Sequence, residues 1–205
     1  MFKKFIAAAF IAAVSSSAFA QACPVKDTRV CDVLVKANEY KPQRQIVWRE
    51  WSTSHPSVAA EYEWALGPAD VVHLGNTRDL NDDAVFFLVA HELGHSMHGH
   101  SRKYLELFAP ESERNLPDAE LVKKYVKSIN EFNGAANALN KAHELEADQF
   151  AIELMLRNGM DPVKAIKALL KNKASSAHYP TRNERIARAE QLTQAYQAIK
   201  VAAVQ

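Results

Sequence analysis

The sequence AVFFLVAHELGH at residues 84–95 ends in an HExxH motif formed by His91, Glu92 and His95. On a helix, residues four positions apart lie on one face, so His91 and His95 can each offer a ring nitrogen to one Zn²⁺. Glu92 then lies beside the metal, where hydrolysis requires a general base. The apolar run before the motif predicts a helix that is buried on all sides. The alternative is an ordinary core helix that carries two histidines and binds no metal.

The residues around this helix predict its limits. Asn81 and Asp82 can cap its N-terminus, and the carboxylates of Asp82 and Asp83 favour the positive end of the helix dipole. Gly99 follows His98 and can end the helix, because glycine readily adopts a left-handed backbone conformation.

A second long helix is predicted downstream, over residues 136–157. Asn158-Gly159 provides its end, and Asp161-Pro162 provides the start of the next helix. Ala147 and Ala151 are small enough to let this helix approach the HExxH helix closely.

The second helix carries a candidate third metal ligand. Glu144 and Asp148 lie four residues apart on one face, so Glu144 can bind the metal while Asp148 accepts the outer N–H of a zinc-bound histidine. Glu146 is expected to point elsewhere. The alternative is that all three carboxylates form a solvated acidic face.

These two patterns together resemble metallopeptidase family forty-eight, the gluzincins that include HtpX-like and CAAX-prenyl-protease-like enzymes. The resemblance covers about residues 45–190. His100, the GxDP pattern that begins at Gly159 and the late segment from His178 to Arg185 also fit the family.

The resemblance implies an α+β, zincin-like (gluzincin) fold, with a small N-terminal β-sheet, the HExxH helix, the glutamate-bearing helix and further C-terminal helices. It also implies one Zn²⁺ per chain, held by His91, His95 and Glu144. Two His ligands and one carboxylate would also hold other divalent ions.

The late segment is implied to contribute to catalysis, although its sequence departs from the family pattern. Tyr179 separates His178 from Pro180, whereas relatives read His-Pro directly. His178 is therefore open to three interpretations: an inhibitory fourth ligand, a hydrogen-bond donor to the transition state, or a surface histidine. An oxyanion partner is expected, and His178, Tyr179 and Arg185 are the candidates.

The mechanism expected of such a site is hydrolysis of a peptide bond by water. Zn²⁺ lowers the pKa of bound water from about 15.7 toward about 7. Glu92 is expected to take the proton from that water as general base and to pass it to the leaving amine as general acid.

Strands are predicted ahead of the HExxH helix. Residues 45–51 and 69–74 have strand character, and residues 61–66 form a third candidate. In gluzincins the edge strand of the sheet pairs with the substrate backbone, and by resemblance residues 69–74 are that strand. This makes Val71, Val72 and His73 candidate substrate-binding residues.

Between the zinc helices, residues 101–116 form either a mobile lid over the cleft or a connecting loop docked on the core. Residues 118–132 predict an amphipathic helix, and residues 181–202 predict a further helix with an apolar stripe.

The first 20 residues have the charged, apolar and AxA regions of a secretory signal. We expect residues 1–20 to be a signal peptide, residues 21–44 an N-terminal segment and residues 45–205 a zinc metallopeptidase domain. The expected destination is the bacterial periplasm, and the rival is a lipoprotein anchored through Cys23. No later apolar run is long enough to span a bilayer, so stable membrane insertion of the mature chain is not expected.

Cysteine usage agrees with export. Cys23 and Cys31 are the two cysteines of the chain, and in an oxidising compartment they would most simply pair with each other. The alternative is two free thiols.

Charge excludes a nucleic-acid partner. The chain has a formal net charge of +1, and loss of residues 1–20 removes two lysines and no acidic residue, giving −1. The resemblance implies a polypeptide substrate as the partner, and the oligomeric state is not predicted.

The sequence thus predicts an exported zinc metalloendopeptidase for unfolded or extended polypeptides, with a role in envelope protein quality control. The alternative is a latent or non-cleaving, chaperone-like zinc protein that needs a partner for activation.

Overall fold

The computed structural model describes residues 25–37, 40, 45–50, 60–63, 69–75, 77–131, 136–171 and 179–203. The described elements, in chain order, are α1 (Thr28–Lys36), β1 (Gln45–Glu50), β2 (Ala60–Glu63), β3 (Ala69–Leu74), α2 (Asp82–Met97), α3 (His100–Glu106), a 3₁₀ helix (Glu111–Glu113), α4 (Asp118–Glu131), α5 (Ala136–Arg157), α6 (Pro162–Leu169) and α7 (Arg182–Ala202). None of the helices in this part of the chain has the length and apolar character needed to cross a membrane.

Helix α2 lies at the centre of the molecule and carries the HExxH motif. The side chain of Asn81 caps it by accepting a hydrogen bond of 2.8 Å from Ala84 N. Every residue from Ala84 to Ser96 is buried, as the apolar run predicts. Gly99, with a φ of 62°, turns the chain directly into α3. The expected start and end of this helix are therefore confirmed.

The main core surrounds α2. Helices α1, α5 and α6 contact it, and α7 packs against α5 and α6. Val30 and Val33 of α1 are buried in the same core as Phe87 and Val89 of α2. The predicted division of the chain at residue 45 stays a prediction, although the segment before it contributes a helix to this core.

The sheet has the strand order β1-β3-β2, with β1 parallel and β2 antiparallel to β3. The prediction that residues 69–74 form the edge strand is wrong, because β3 pairs with a neighbour on each side. Val71, Val72 and His73 each face a residue of β1 and a residue of β2. Their main chain therefore has no open side for a substrate strand. Within the described sheet, β1 and β2 form the edges.

A buried carboxylate joins the sheet to α2. Asp70 of β3 is inaccessible to solvent and accepts hydrogen bonds from the hydroxyls of Ser96, on α2, and Ser101, on α3. Such a buried acceptor fixes the end of α2 against the sheet, because an unsatisfied carboxylate would be costly there.

Residues 101–116 pack onto α4, where the side chains of Leu105, Ala109, Leu121 and Val122 form a second, smaller core. Arg102 strengthens this packing by donating to the Leu116 carbonyl at 2.9 Å and to Asp118 at 2.5 Å. Of the two interpretations of this segment, the structure shows the docked one, and α3 supplies helical structure that the sequence did not predict.

Helix α5 ends as its sequence predicts. Gly159 has a φ of 70°, and the N–H groups of Gly159 and Met160 bond back to Leu156 and Met155 in a Schellman motif. Asp161 then caps α6, whose first residue is Pro162.

Candidate metal centre

Three side chains from two helices converge at one point. His91 and His95 belong to α2, and Glu144 belongs to α5. His91 Nε2 lies 3.2 Å from Glu144 Oε2, and His95 Nε2 lies 3.4 Å from Glu144 Oε1. The two Nε2 atoms are 3.2 Å apart. Among the described residues, these three form the group of potential metal ligands, with all ligand atoms within 4.8 Å of one another. The structure therefore brings together the three predicted ligands.

The close approach of α2 and α5 depends on small residues at their crossing. A Cβ on Gly94 would lie 2.8 Å from the Cα of Ala147 and 3.0 Å from its carbonyl oxygen. Ala147 and Ala151 are fully buried. The contact at Gly94 thus places Glu144 within reach of both histidines, as the small alanines of α5 predict.

The outer nitrogen of His91 is held by Asp148. His91 Nδ1 lies 2.9 Å from Asp148 Oδ1, and Asp148 is inaccessible to solvent. Because the carboxylate is an acceptor, the proton of the neutral imidazole lies on Nδ1 and the lone pair of Nε2 faces Glu144. This is the arrangement that the spacing of Glu144 and Asp148 predicts.

Arg185 does not have the position expected of an oxyanion partner. It is buried, and its Nε donates to Asp148 Oδ2 at 2.7 Å while Nη2 donates to Oδ1 of the same carboxylate. The two donors form a fork on Asp148, behind His91. The prediction of a catalytic role for Arg185 is therefore corrected: it holds Asp148, which in turn holds the candidate ligand His91.

His95 has a corresponding chain of partners. Its Nδ1 lies 2.8 Å from His100 Nδ1, and His100 Nε2 lies 3.0 Å from Glu146 Oε2. Lys103 donates to the same carboxylate oxygen at 3.0 Å. Glu146 is not part of the group of potential ligands, as expected, but its carboxylate reaches His100 because α3 brings His100 against α5. The position of His100, five residues after His95, was the available signal.

The charges of the site favour a cation at its centre. Burial lowers the pKa of His91, but the nearby carboxylates of Glu144 and Asp148 outweigh it and raise that pKa to about 10. Burial raises the pKa of Glu144, yet His91 and His95 hold it below its ordinary value. Burial likewise raises the pKa of Asp148, and Arg185 and His91 more than offset this, so that its pKa is lowered.

The donor set fits a divalent metal ion. When both imidazoles are neutral and carry their proton on Nδ1, the two Nε2 lone pairs and the Glu144 carboxylate are all acceptors, and they lie 3.2 to 3.4 Å apart. Acceptors at this separation repel one another unless a positive charge lies between them. Two imidazoles and a carboxylate are ligands that Zn²⁺ accepts in catalytic sites.

Glu92 follows His91 on α2 and is 5% exposed. Burial lowers the pKa of Arg185, but the carboxylates of Asp148, Glu144 and Glu92 outweigh burial and raise that pKa. Glu92 is thus a buried acid on the helix that carries His91 and His95, one residue after His91.

Some of the remaining predicted site residues are outside the described part of the chain. His178 is outside the described residues, and its three interpretations stay open. Tyr179 is exposed, at 52%, just before the start of α7. Cys31 lies on α1, whereas Cys23 is outside the described residues, so the disulfide and the signal peptide stay predictions.

In a comparison with known protein families, the chain matches one family model. A model of peptidase family M48 matches residues 71–193, a range that begins within β3 and contains the three candidate ligands, Asp148 and Arg185. No curated protein and no solved structure matches the chain.

Proposed function

The chain belongs to peptidase family M48, whose members are metallopeptidases of zincin-like fold, and on that basis we propose that it is an exported, zinc-dependent endopeptidase for unfolded or extended polypeptides. The observation that carries this proposal is the meeting of His91, His95 and Glu144, with the buried acid Glu92 directly after His91 on α2. A purely structural zinc site needs no such acid and usually has four protein ligands.

His91, His95 and Glu144 would hold the metal, and Asp148 keeps the ring of His91 turned so that its Nε2 lone pair points inward. When bound, Zn²⁺ supplies Lewis acidity toward a peptide carbonyl and lowers the pKa of water from about 15.7 toward about 7.

Glu92 accepts a proton from the attacking water and then donates it to the leaving amine. General acid–base catalysis of this kind contributes roughly 10²–10⁴-fold to the rate. His178 and Tyr179 are the remaining candidates for hydrogen bonding to the oxyanion, since the described donors of Arg185 are directed at Asp148.

The proposed substrate class follows from the sheet. Strand β2 is at an edge of the described sheet, runs antiparallel to β3 and contacts α2. We infer that an extended polypeptide pairs with β2 and so passes beside the metal-binding helix. Main-chain pairing depends weakly on sequence, which suits a protease that removes unfolded proteins.

The proposed location is the bacterial periplasm, after removal of residues 1–20, with a role in envelope protein quality control. Support for it comes from the signal-like N-terminus and from a cysteine pair placed for a disulfide.

Cleavage of casein by the zinc-loaded protein tests the proposal. Glu92→Gln keeps the metal ligands and should lower the rate of cleavage by roughly 10²–10⁴-fold without loss of zinc. Glu153→Gln, the same change at an exposed position of α5, should cut as the wild type does.

If wild type and Glu92→Gln both bind zinc and neither cuts, the proposal of an active protease fails and the latent or chaperone-like alternative replaces it. His178→Ala then separates the two: a latent enzyme shut by His178 gains activity, and a non-cleaving protein does not.

A further inference from the structure

The orientation of His95 depends on residues outside the predicted ligand set. Its outer nitrogen meets another imidazole, that of His100, rather than a carboxylate. His100 is 3% exposed and belongs to α3, a helix that the HExxH pattern does not include. Two Nδ1 atoms 2.8 Å apart require one to donate and the other to accept.

The far side of His100 settles the direction of these hydrogen bonds. His100 Nε2 faces Glu146 Oε2 at 3.0 Å, and Lys103 Nζ lies 3.0 Å from the same oxygen. Beside an ammonium group the carboxylate is ionised and accepts, so His100 carries its proton on Nε2. His100 Nδ1 is then the acceptor, and His95 must carry its proton on Nδ1.

We propose that His100 and Glu146 are positioning residues for the metal, which fix the tautomer and ring orientation of His95 as Asp148 fixes those of His91. The inference rests on the proposed metal site. Both histidines are then oriented by carboxylates of α5. Asp148 contacts His91 directly, and Glu146 reaches His95 through His100.

A packing role is the competing explanation for His100. Its ring stacks on His143, with centroids 4.0 Å apart and planes 8° apart, and more loosely on His98 at 5.5 Å. Phenylalanine at position 100 would keep the stack and remove both hydrogen bonds. His98→Phe is the matched control, since it changes the same residue type in the same stack without touching the path from His95 to Glu146.

Zinc affinity, measured by competition with a chromophoric chelator, tests the proposal without recourse to catalysis. Partners that orient a ligand contribute about 10–100-fold to metal affinity, so His100→Phe should bind zinc more weakly by this factor. Glu146→Gln, which can still accept a hydrogen bond, should lose less zinc affinity than His100→Phe. His98→Phe should bind as the wild type does. His100→Asn should recover part of the loss, because its side-chain oxygen can replace Nδ1 as the acceptor.

The visible spectrum of the Co²⁺-substituted protein gives a second readout. A His95 ring free to turn should shift the d–d bands of His100→Phe and leave those of His98→Phe unchanged. If His100→Phe fails to fold without metal, Glu146→Gln and His100→Asn carry the test.

The inference is overturned if His100→Phe and Glu146→Gln bind zinc within about twofold of the wild type, or if His98→Phe weakens binding equally. Absence of zinc binding by the wild type would instead overturn the proposed function itself.

Discussion

Asp148 is the residue on which the orientation of His91 depends. It is inaccessible to solvent and shares its carboxylate between His91 and the guanidinium of Arg185. A buried carboxylate without a counter-charge would cost several kcal/mol or would take up a proton. Arg185 therefore keeps Asp148 ionised, and an ionised Asp148 is what fixes the proton of His91 on Nδ1.

Replacement of Arg185 tests this dependence. Arg185→Met should lower the free energy of unfolding of the metal-free protein by about 3–5 kcal/mol, because it removes the guanidinium partner of a buried ion pair. Urea denaturation at neutral pH measures the change. Arg188→Met, one turn later on α7 and less buried, should cost at most about 1 kcal/mol. Equal losses in the two variants would contradict the account.

At the scale of elements, the site depends on how closely α2 and α5 approach. Glycine in the middle of a helix is normally unfavourable by about 1 kcal/mol relative to alanine. At Gly94 the order is reversed, because a Cβ would lie 2.8 Å from the backbone of Ala147. Overpacking of this kind costs about 1–3 kcal/mol and would separate the helices that carry the ligands.

Gly94→Ala should therefore lose zinc as well as stability. Its matched control is Gly159→Ala, which introduces strain at a φ of 70° but has nothing within 4 Å of the added Cβ. Zinc content after dialysis and thermal unfolding measure the two effects. The control should be less stable and still bind zinc, and retention of full zinc by Gly94→Ala would refute the close-approach argument.

The attachment of α1 to the start of α2 is expected to be acid-sensitive. Arg29 donates to Asp27, to the carbonyl oxygens of Thr77 and Leu80, and to Asp82. The hydrogen bond from Arg29 is the main cause that lowers the pKa of Asp27 from 3.8 to about 2. A lowered pKa means that Asp27 stabilises the fold above its ordinary pKa and that this stabilisation is lost as the pH falls through the folded-state pKa.

Asp27→Asn should remove this pH-dependent stabilisation. At neutral pH we expect a loss of about 1 kcal/mol, a value reduced for partial exposure, and the difference from wild type should shrink between about pH 5 and about pH 2. Urea denaturation of both proteins across that range provides the comparison. A difference that stays constant with pH would show that the charge of Asp27 is not what matters.

At the scale of the whole molecule, the parts that the sequence predicted are those specified locally. Helix α2 is marked by Asn81, Gly99 and an apolar run, and α5 by its glycine end and the spacing of Glu144 and Asp148. Such caps and periodicities act within a few residues, so no knowledge of the rest of the chain is needed.

The parts that the sequence missed depend on contacts between distant segments. The central position of β3 follows from pairing with both β1 and β2, which a strand pattern alone does not determine. Arg185 meets Asp148 because α7 packs on α5, and His100 meets Glu146 because Gly99 turns the chain into α3. In each of these cases both partners were noticed in the sequence, and the contact between them was not predicted.

The ligands come from two helices that are far apart in sequence, so the central claim concerns the molecule as a whole: α2 and α5 together form one zinc site. The number of zinc ions bound per chain, in the wild type, in Glu144→Gln and in Glu153→Gln, tests it directly. Glu153 lies on α5, where its exposed carboxylate accepts a hydrogen bond of 2.9 Å from Gln149.

We predict about one zinc per chain for the wild type and for Glu153→Gln, and a loss of affinity in Glu144→Gln greater than the roughly 10–100-fold expected of an outer partner. Retention of one tightly bound zinc by Glu144→Gln would contradict the account, because α5 would then contribute no ligand to the metal.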